Sequence, residues 1–261
     1  MRLDRAITFA ALFTVVLAGG CSAAVKSRVV DYEHAGTPLQ GHLAWSDAAK
    51  GKRPGVIVVH EWWGHNQHAR RAADRLAQAG YVAFALDMFG KGRVTTHPES
   101  AQAFVAQSMQ DATLIPGRFA AALEILKSDE RVDPTRIGAI GYCFGGAVVL
   151  GMARAGEDLR AVATFHGALA TESPARPGQV KARLLVMTGE ADPMIPPDAV
   201  RTFENEMKAA GVGHRVIRYP GAKHGFTNPA ADQAGVPGLG YNAAADKQSW
   251  AELIRFFKQE L

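Results

Sequence analysis

Cys143 lies midway between two glycines, in Gly141-Tyr142-Cys143-Phe144-Gly145. Residues 137–141 form a short apolar run before it, and residues 145–155 after it are mostly small or apolar. The pattern predicts a buried strand that turns at once into a helix, with the thiol at the turn. The spacing is that of G-x-S-x-G, with Cys in place of Ser. Such a turn strains the backbone of its middle residue, and side chains two positions to either side would collide, so glycine is needed there. The strain lifts the thiol above the sheet, beside a helix N-terminus. The local dipole there favours a thiolate, and free N–H groups can hold an oxyanion. The chemistry on offer is nucleophilic attack on a carbonyl. A glycine-rich turn around a structural cysteine would carry the same five letters, so the reading depends on partners.

A free thiol has a pKa near 8.5 and is mostly protonated at neutral pH, so it needs a base. The base expected is a histidine oriented by a carboxylate, in the chain order nucleophile, acid, histidine. That order is present. Asp192 follows an apolar run in Thr188-Gly189-Glu190-Ala191-Asp192-Pro193, and His224 follows another in Lys223-His224-Gly225-Phe226. Glu190 competes with Asp192 for the acid role. Both sites fall at the carboxyl ends of expected strands, where open α/β sheets build their sites. Further upstream, His60-Glu61-Trp62-Trp63-Gly64 closes another apolar run. The Trp62 N–H, with that of Phe144, is the expected oxyanion donor pair. Trp62 and Trp63 are expected as pocket walls. Glu61 is a carboxylate in a place that requires a partner, and His60 reads as structural.

The elements that must hold these residues follow from periodicity. Residues 28–33 and 40–45 read as two strands around a Gly-Thr-Pro turn, a tight antiparallel hairpin. Residues 55–60 and 81–86 are continuous apolar runs, the mark of strands buried on both faces. Further strands are expected over 161–165, 182–188 and 214–219. Helices are expected over 67–79, 98–110, 116–127 and 199–210, with a closing helix bearing Trp250, Leu253, Ile254 and Phe257 on one stripe. Strands alternating with helices argue for a mostly parallel sheet covered on both faces, an α/β fold.

The chain has 261 residues, 48% hydrophobic and 21% charged, which suits one large globular domain. A formal net charge of +4 without any long basic run gives no nucleic-acid signal. The two cysteines, Cys21 and Cys143, do not make a disulfide framework. Arg2 and Arg5 precede an apolar, uncharged run over 6–18, followed by Gly19-Gly20-Cys21-Ser22. This is the layout of an export signal, with an apolar run too short for a comfortable membrane span. The expectation is a signal over residues 1–20, a tether over 21–27 and a single domain over 28–261. Ala18-Gly19-Gly20-Cys21 resembles a bacterial lipoprotein box, with the usual Leu displaced by one position. That resemblance implies lipidation of Cys21 and a membrane-anchored envelope protein; plain cleavage would give a periplasmic one.

The four motifs His60–Gly64, Gly141–Gly146, Gly189–Asp192 and Lys223–Phe226 resemble, in order, those of the dienelactone hydrolases, or carboxymethylenebutenolidases. The resemblance implies an α/β-hydrolase fold, Cys143 as nucleophile, His224 as base, Asp192 as orienting acid and a role for Glu61 toward the thiol. It implies hydrolysis of cyclic enol esters through an acyl-enzyme, without cofactor or metal. Two departures accompany it. Well-known members carry a carboxylate-binding Arg four residues after the histidine, where this chain has Asn228; Arg93 is the nearest candidate for a second such Arg. Phe226, Asn228, Arg93, Trp62 and Trp63 are thus the expected substrate-binding residues, on a small-molecule ester or lactone acted on by a monomer. A short-chain esterase or thioesterase stays open beside this reading, as does a non-catalytic envelope lipoprotein that uses the fold to bind a ligand.

Overall fold

The computed structural model describes residues 24–48 and 50–261. Cys21 and the expected export signal lie outside the described residues. The first strand begins at Val25, inside the stretch over 21–27 expected as a tether.

Among the described residues, eight strands form one sheet: β1 (Val25–His34), β2 (Thr37–Ser46), β3 (Arg53–Val59), β4 (Val82–Ala85), β5 (Val132–Tyr142), β6 (Ala161–Phe165), β7 (Arg183–Gly189) and β8 (His214–Tyr219). Their spatial order is β1-β2-β4-β3-β5-β6-β7-β8. β1 and β2 form the expected hairpin, and β2 pairs antiparallel with β4; all pairings from β4 to β8 are parallel. β4 and β6 are buried along their whole length, which explains their unbroken apolar sequence.

Six α-helices among the described residues cover the sheet: α1 (Gln67–Gln78), α2 (Pro98–Met109), α3 (Leu114–Lys127), α4 (Phe144–Arg154), α5 (Pro197–Ala209) and α6 (Ala243–Glu260). One apolar core gathers Phe119, Leu126, Val149, Phe203 and Met207 from α3, α4 and α5. The other gathers Ala69, Ala73 and Leu76 of α1 with Leu253, Phe256 and Phe257 of α6. Each large side chain buried there contributes about 1.5–3 kcal/mol. The alanines of α1 let that helix lie close to the strands. α3 starts earlier than the sequence suggested, with Pro116 inside its first turn. The missing N–H costs nothing there, because the first turn has no intrahelical acceptor for it.

Parallel pairing sets the ends of the strands level. Val59 lies opposite Gly141, Tyr142 opposite Phe165, and Gly189 opposite Tyr219. The segments that follow β3, β5, β6, β7 and β8 therefore emerge along one edge of the sheet. α4, which starts at that edge, is anchored at its far end by Arg154. Its guanidinium meets both carboxylate oxygens of Glu206 on α5, at 2.9 and 2.8 Å, and the Leu169 carbonyl at 2.8 Å. Arg154 is buried, so removing its partner leaves an uncompensated charge. Glu206→Ala is expected to cost about 3–5 kcal/mol of stability in denaturant unfolding, and the apolar pair Arg154→Met with Glu206→Leu to recover most of it.

Candidate active site

Cys143 is the residue between β5 and α4, and its backbone has φ 51° and ψ −114°. A non-glycine residue in this region carries strain on the order of 1–3 kcal/mol, so its surroundings must impose it. They do so by close backbone contact. A Cβ on Gly141 would lie 2.0 Å from the Gly145 carbonyl oxygen. A Cβ on Gly145 would lie 2.3 Å from the Val59 carbonyl oxygen and 2.6 Å from that of His60. The Cys143 N–H donates to the Phe165 carbonyl at 3.0 Å, and its own carbonyl accepts the N–H groups of Gly146 and Ala147. The half-buried thiol stands at the N-terminus of α4.

Asp192 and His224 come together beside it. His224 Nδ1 donates to Asp192 Oδ2 at 2.9 Å, and both side chains are buried. The other carboxylate oxygen of Asp192 accepts the Met194 N–H at 2.8 Å, which fixes the carboxylate in turn. Burial disfavours a charged imidazole here, but the hydrogen bond to Asp192 and the Cys143 side chain outweigh it and push His224 up to about 10. Among the described residues, Nε2 has no hydrogen-bond partner, and the Cys143 side chain is its neighbour. Glu190, the competing acid, is exposed; Asp192 is the carboxylate on the imidazole.

The loop after β3 is pinned by His60. The Met88 N–H donates to His60 Nε2 at 3.1 Å, so Nδ1 carries the proton and donates to the Glu61 carbonyl at 2.6 Å. Burial holds this imidazole neutral. Among the described residues, the N–H groups of Trp62 and Phe144 have no acceptor, as an oxyanion pair requires. Glu61 is 4% exposed and turns toward the base loop. Its Oε2 accepts Asn228 Nδ2 at 2.6 Å and lies 3.7 Å from His68 Nδ1.

The expected substrate-binding residues divide. Trp62 is half-buried, with its ring 4.8 Å from that of Trp63. Trp63 and Asn228 line a cavity of about 680 Å³ with His68, Arg71, Tyr142 and Ala230; Cys143 is not on its wall. Asn228 is engaged by Glu61 and so is not a free replacement for a carboxylate-binding Arg. Phe226 is a core residue instead of a contact residue. It is fully buried, 5.2 Å from the ring of His166 and 5.5 Å from that of Tyr219. Arg93 is turned away. Its guanidinium lies over the Phe104 ring and bonds the Phe89 carbonyl and Gln107 Oε1, on the wall of a separate cavity of about 310 Å³.

Two histidines of the site are absent from the sequence-based list. His166 follows β6 with φ 41°, is fully buried and packs edge-on against His224 with ring centroids 5.1 Å apart. His68, in the first turn of α1, bonds the Thr227 carbonyl through Nε2 at 3.1 Å. The signal for His166 was its place just past a strand end, as for His224; His68 had none. Among the described residues, no group of three or more His, Cys, Asp or Glu could hold a metal ion.

The pairing has a checkable pH signature. A raised imidazole stabilises the fold most below its unfolded pKa of about 6.5, and that contribution is lost as pH rises through about 10. In histidine NMR, His224 is expected to titrate far above an ordinary histidine. Asp192→Asn is expected to bring that titration down sharply, and the stability it removes should be largest below pH 6.5.

Comparison with known proteins places this geometry. Residues 39–261 match the dienelactone hydrolase family. The metagenomic enzyme P91, a dienelactone hydrolase-like promiscuous phosphotriesterase, is 34% identical, with a TM-score of 0.84 over 91% of this chain and 99% of its own. The structure known as m3DLH is 36% identical, with a TM-score of 0.85 over the same shares. A Synechocystis protein, provisionally named carboxymethylenebutenolidase, is 29% identical over 91% of this chain and 98% of its own. With its sheet order, its strained thiol turn and a family match over most of its length, the chain belongs to the dienelactone hydrolase family.

Proposed function

We propose that this protein hydrolyses a small ester or lactone, with Cys143 as nucleophile, His224 as proton carrier and Asp192 as its orienting acid. The observation that carries this reading is the buried imidazole, bonded to Asp192 at 2.9 Å on one side and facing the strained thiol on the other. Family membership supports the reaction class. Proximity of an imidazolium to the sulfur is the arrangement that sustains a reactive thiolate.

In this reading the Cys143 sulfur attacks the carbonyl carbon. The oxyanion is held by the Trp62 and Phe144 N–H groups in a site where they need no reorganisation. Collapse breaks the carbon–oxygen bond, and the leaving oxygen takes the proton from His224 Nε2. Water then enters, gives a proton to the imidazole and attacks the thioester. The acid leaves, and the thiolate–imidazolium pair is restored. Asp192 keeps Nδ1–H in place, so that Nε2 always faces the reaction. His60 and Glu61 hold the loop that carries the Trp62 donor.

The surroundings of Asn228 favour a neutral substrate. An amide can offer a carboxylate one hydrogen bond, not the charged fork of an arginine, and this amide already serves Glu61. An anionic group placed there would meet a second carboxylate. Export with a lipid on Cys21 is part of the same proposal, supported by the N-terminal sequence alone. Mass spectrometry of the mature N-terminus tests it, and an unmodified residue there would reject lipidation.

Cys143→Ala is expected to lower hydrolysis of a p-nitrophenyl ester on the order of 10⁴-fold or more while leaving the fold intact. Iodoacetamide should label Cys143 and inactivate the enzyme in parallel; turnover by the variant at the parent rate would sink the mechanism. A panel of esters and lactones, with a phosphotriester included because P91 is named for one, would define the substrate. Neutral members are expected to match or exceed their carboxylate-bearing analogues in kcat/KM. A strong preference for the anionic form would show that another cation serves the site.

A further inference from the structure

His166 is held in a conformation that a histidine rarely adopts, with φ 41° in a fully buried position. Of the described non-glycine residues with positive φ, one lies in the β1–β2 turn, and the other two are Cys143 and His166. Strain of this kind persists only where the surroundings impose it. Here the His166 N–H donates to the Met187 carbonyl at 2.8 Å, which ties the end of β6 to β7 and turns the ring toward the base loop.

The ring has two contacts that matter. It packs against the His224 imidazole in a T-shaped contact with an interplanar angle of 64°, and Nε2 lies 2.9 Å from Thr227 Oγ1. Nδ1 has no hydrogen-bond partner among the described residues, so the ring is held through the Nε2–Thr227 Oγ1 hydrogen bond. Burial, and next the charge of His224, keep this ring neutral. Thr227 is gripped from the other side as well: its carbonyl accepts His68 Nε2 at 3.1 Å. The base loop is thus clamped three residues after His224, between α1 and the end of β6. The residue that makes the clamp also packs against the His224 ring.

We propose that His166 is a positioning residue for the reaction: through its edge-on contact with His224 and its hydrogen bond to Thr227, it fixes the plane of the base imidazole. This rests on the reading of His224 as proton carrier. A hydrogen bond to Asp192 alone leaves the imidazole free to swing about that bond. A neutral ring packed against it in a T-shaped contact removes the swing without adding a charge. An aspartate or lysine there would bring its own charge to the base. Small misplacement of a catalytic group is costly, on the order of a hundredfold for about 1 Å.

Two variants test the proposal. His166→Asn suits the positive φ, because asparagine tolerates it, but lacks the ring. Thr227→Val keeps the shape of the clamp and loses the hydroxyl. Both are expected to lower kcat about ten- to a hundredfold on a p-nitrophenyl ester, with KM changed less than about threefold. The downfield proton resonance of His224 Nδ1–H should be sharp in the parent and broadened or lost in both variants, while the amide spectrum stays native. That resonance reports the imidazole whether or not an ester is turned over, so it separates failure of this proposal from failure of the hydrolase reading. If His166→Asn does not fold, the same two readouts on Thr227→Val decide. A parent kcat, or an unchanged Nδ1–H resonance in a folded variant, would overturn the assignment.

Discussion

The site depends on one close backbone contact, the seating of the β5–α4 turn on the end of β3. The α-carbon of Gly145 faces the carbonyl oxygens of Val59 and His60 so closely that a single added carbon would sit 2.3 Å from the first. This contact forces the sharp turn at Cys143 and also sets the neighbouring loop. The carbonyl of His60 belongs to the residue whose ring pins Glu61, and Glu61 precedes the Trp62 donor. Thiol and oxyanion loop are therefore not positioned separately. They share one interface between two adjacent parallel strands, and the apolar layers on both faces of the sheet keep that interface from relaxing.

This explains why so much of the site was legible in the sequence. The glycines of the elbow, the apolar strand before it and the small residues after it are local requirements of one turn, and local requirements leave local patterns. The same holds for Asp192 and His224, each just past an apolar run whose parallel pairing sends its end to the common edge. The hairpin, the mostly parallel sheet and the approximate helix placement followed from periodicity; the order of the strands in the sheet did not. Several boundaries moved, two of them for simple reasons: β1 gains residues by pairing with the full length of β2, and α3 absorbs a proline in its first turn.

What was not legible depends on contacts between distant segments or on side-chain direction. Phe226, two residues past the histidine, was expected at the substrate; the chain turns between them, and its ring goes into the core. Arg93 stands in a glycine-bearing loop near the site, but Phe104 and Gln107 of α2 draw it the other way. His68 and His166 reach the base loop through Thr227, and no spacing rule links three residues so far apart in the chain. Only the folded sheet, which brings the ends of β3, β6 and β8 to one edge, makes them neighbours.

The electrostatic arrangement follows from the same geometry. Two buried carboxylates flank the base loop, and they have different companions. Asp192 faces an imidazole, and the pair can carry opposite charges, so its field holds a proton on His224. Glu61 meets the amide of Asn228, a dipole without net charge. A dipole satisfies a hydrogen bond but does not cancel a field, and in a poorly solvated site the uncancelled part extends to whatever approaches. Such a field opposes an anionic group near Asn228. Asn228 therefore satisfies a hydrogen bond of Glu61 without a charge of its own, and the ring nitrogen closest to that carboxylate is His68 Nδ1, at 3.7 Å.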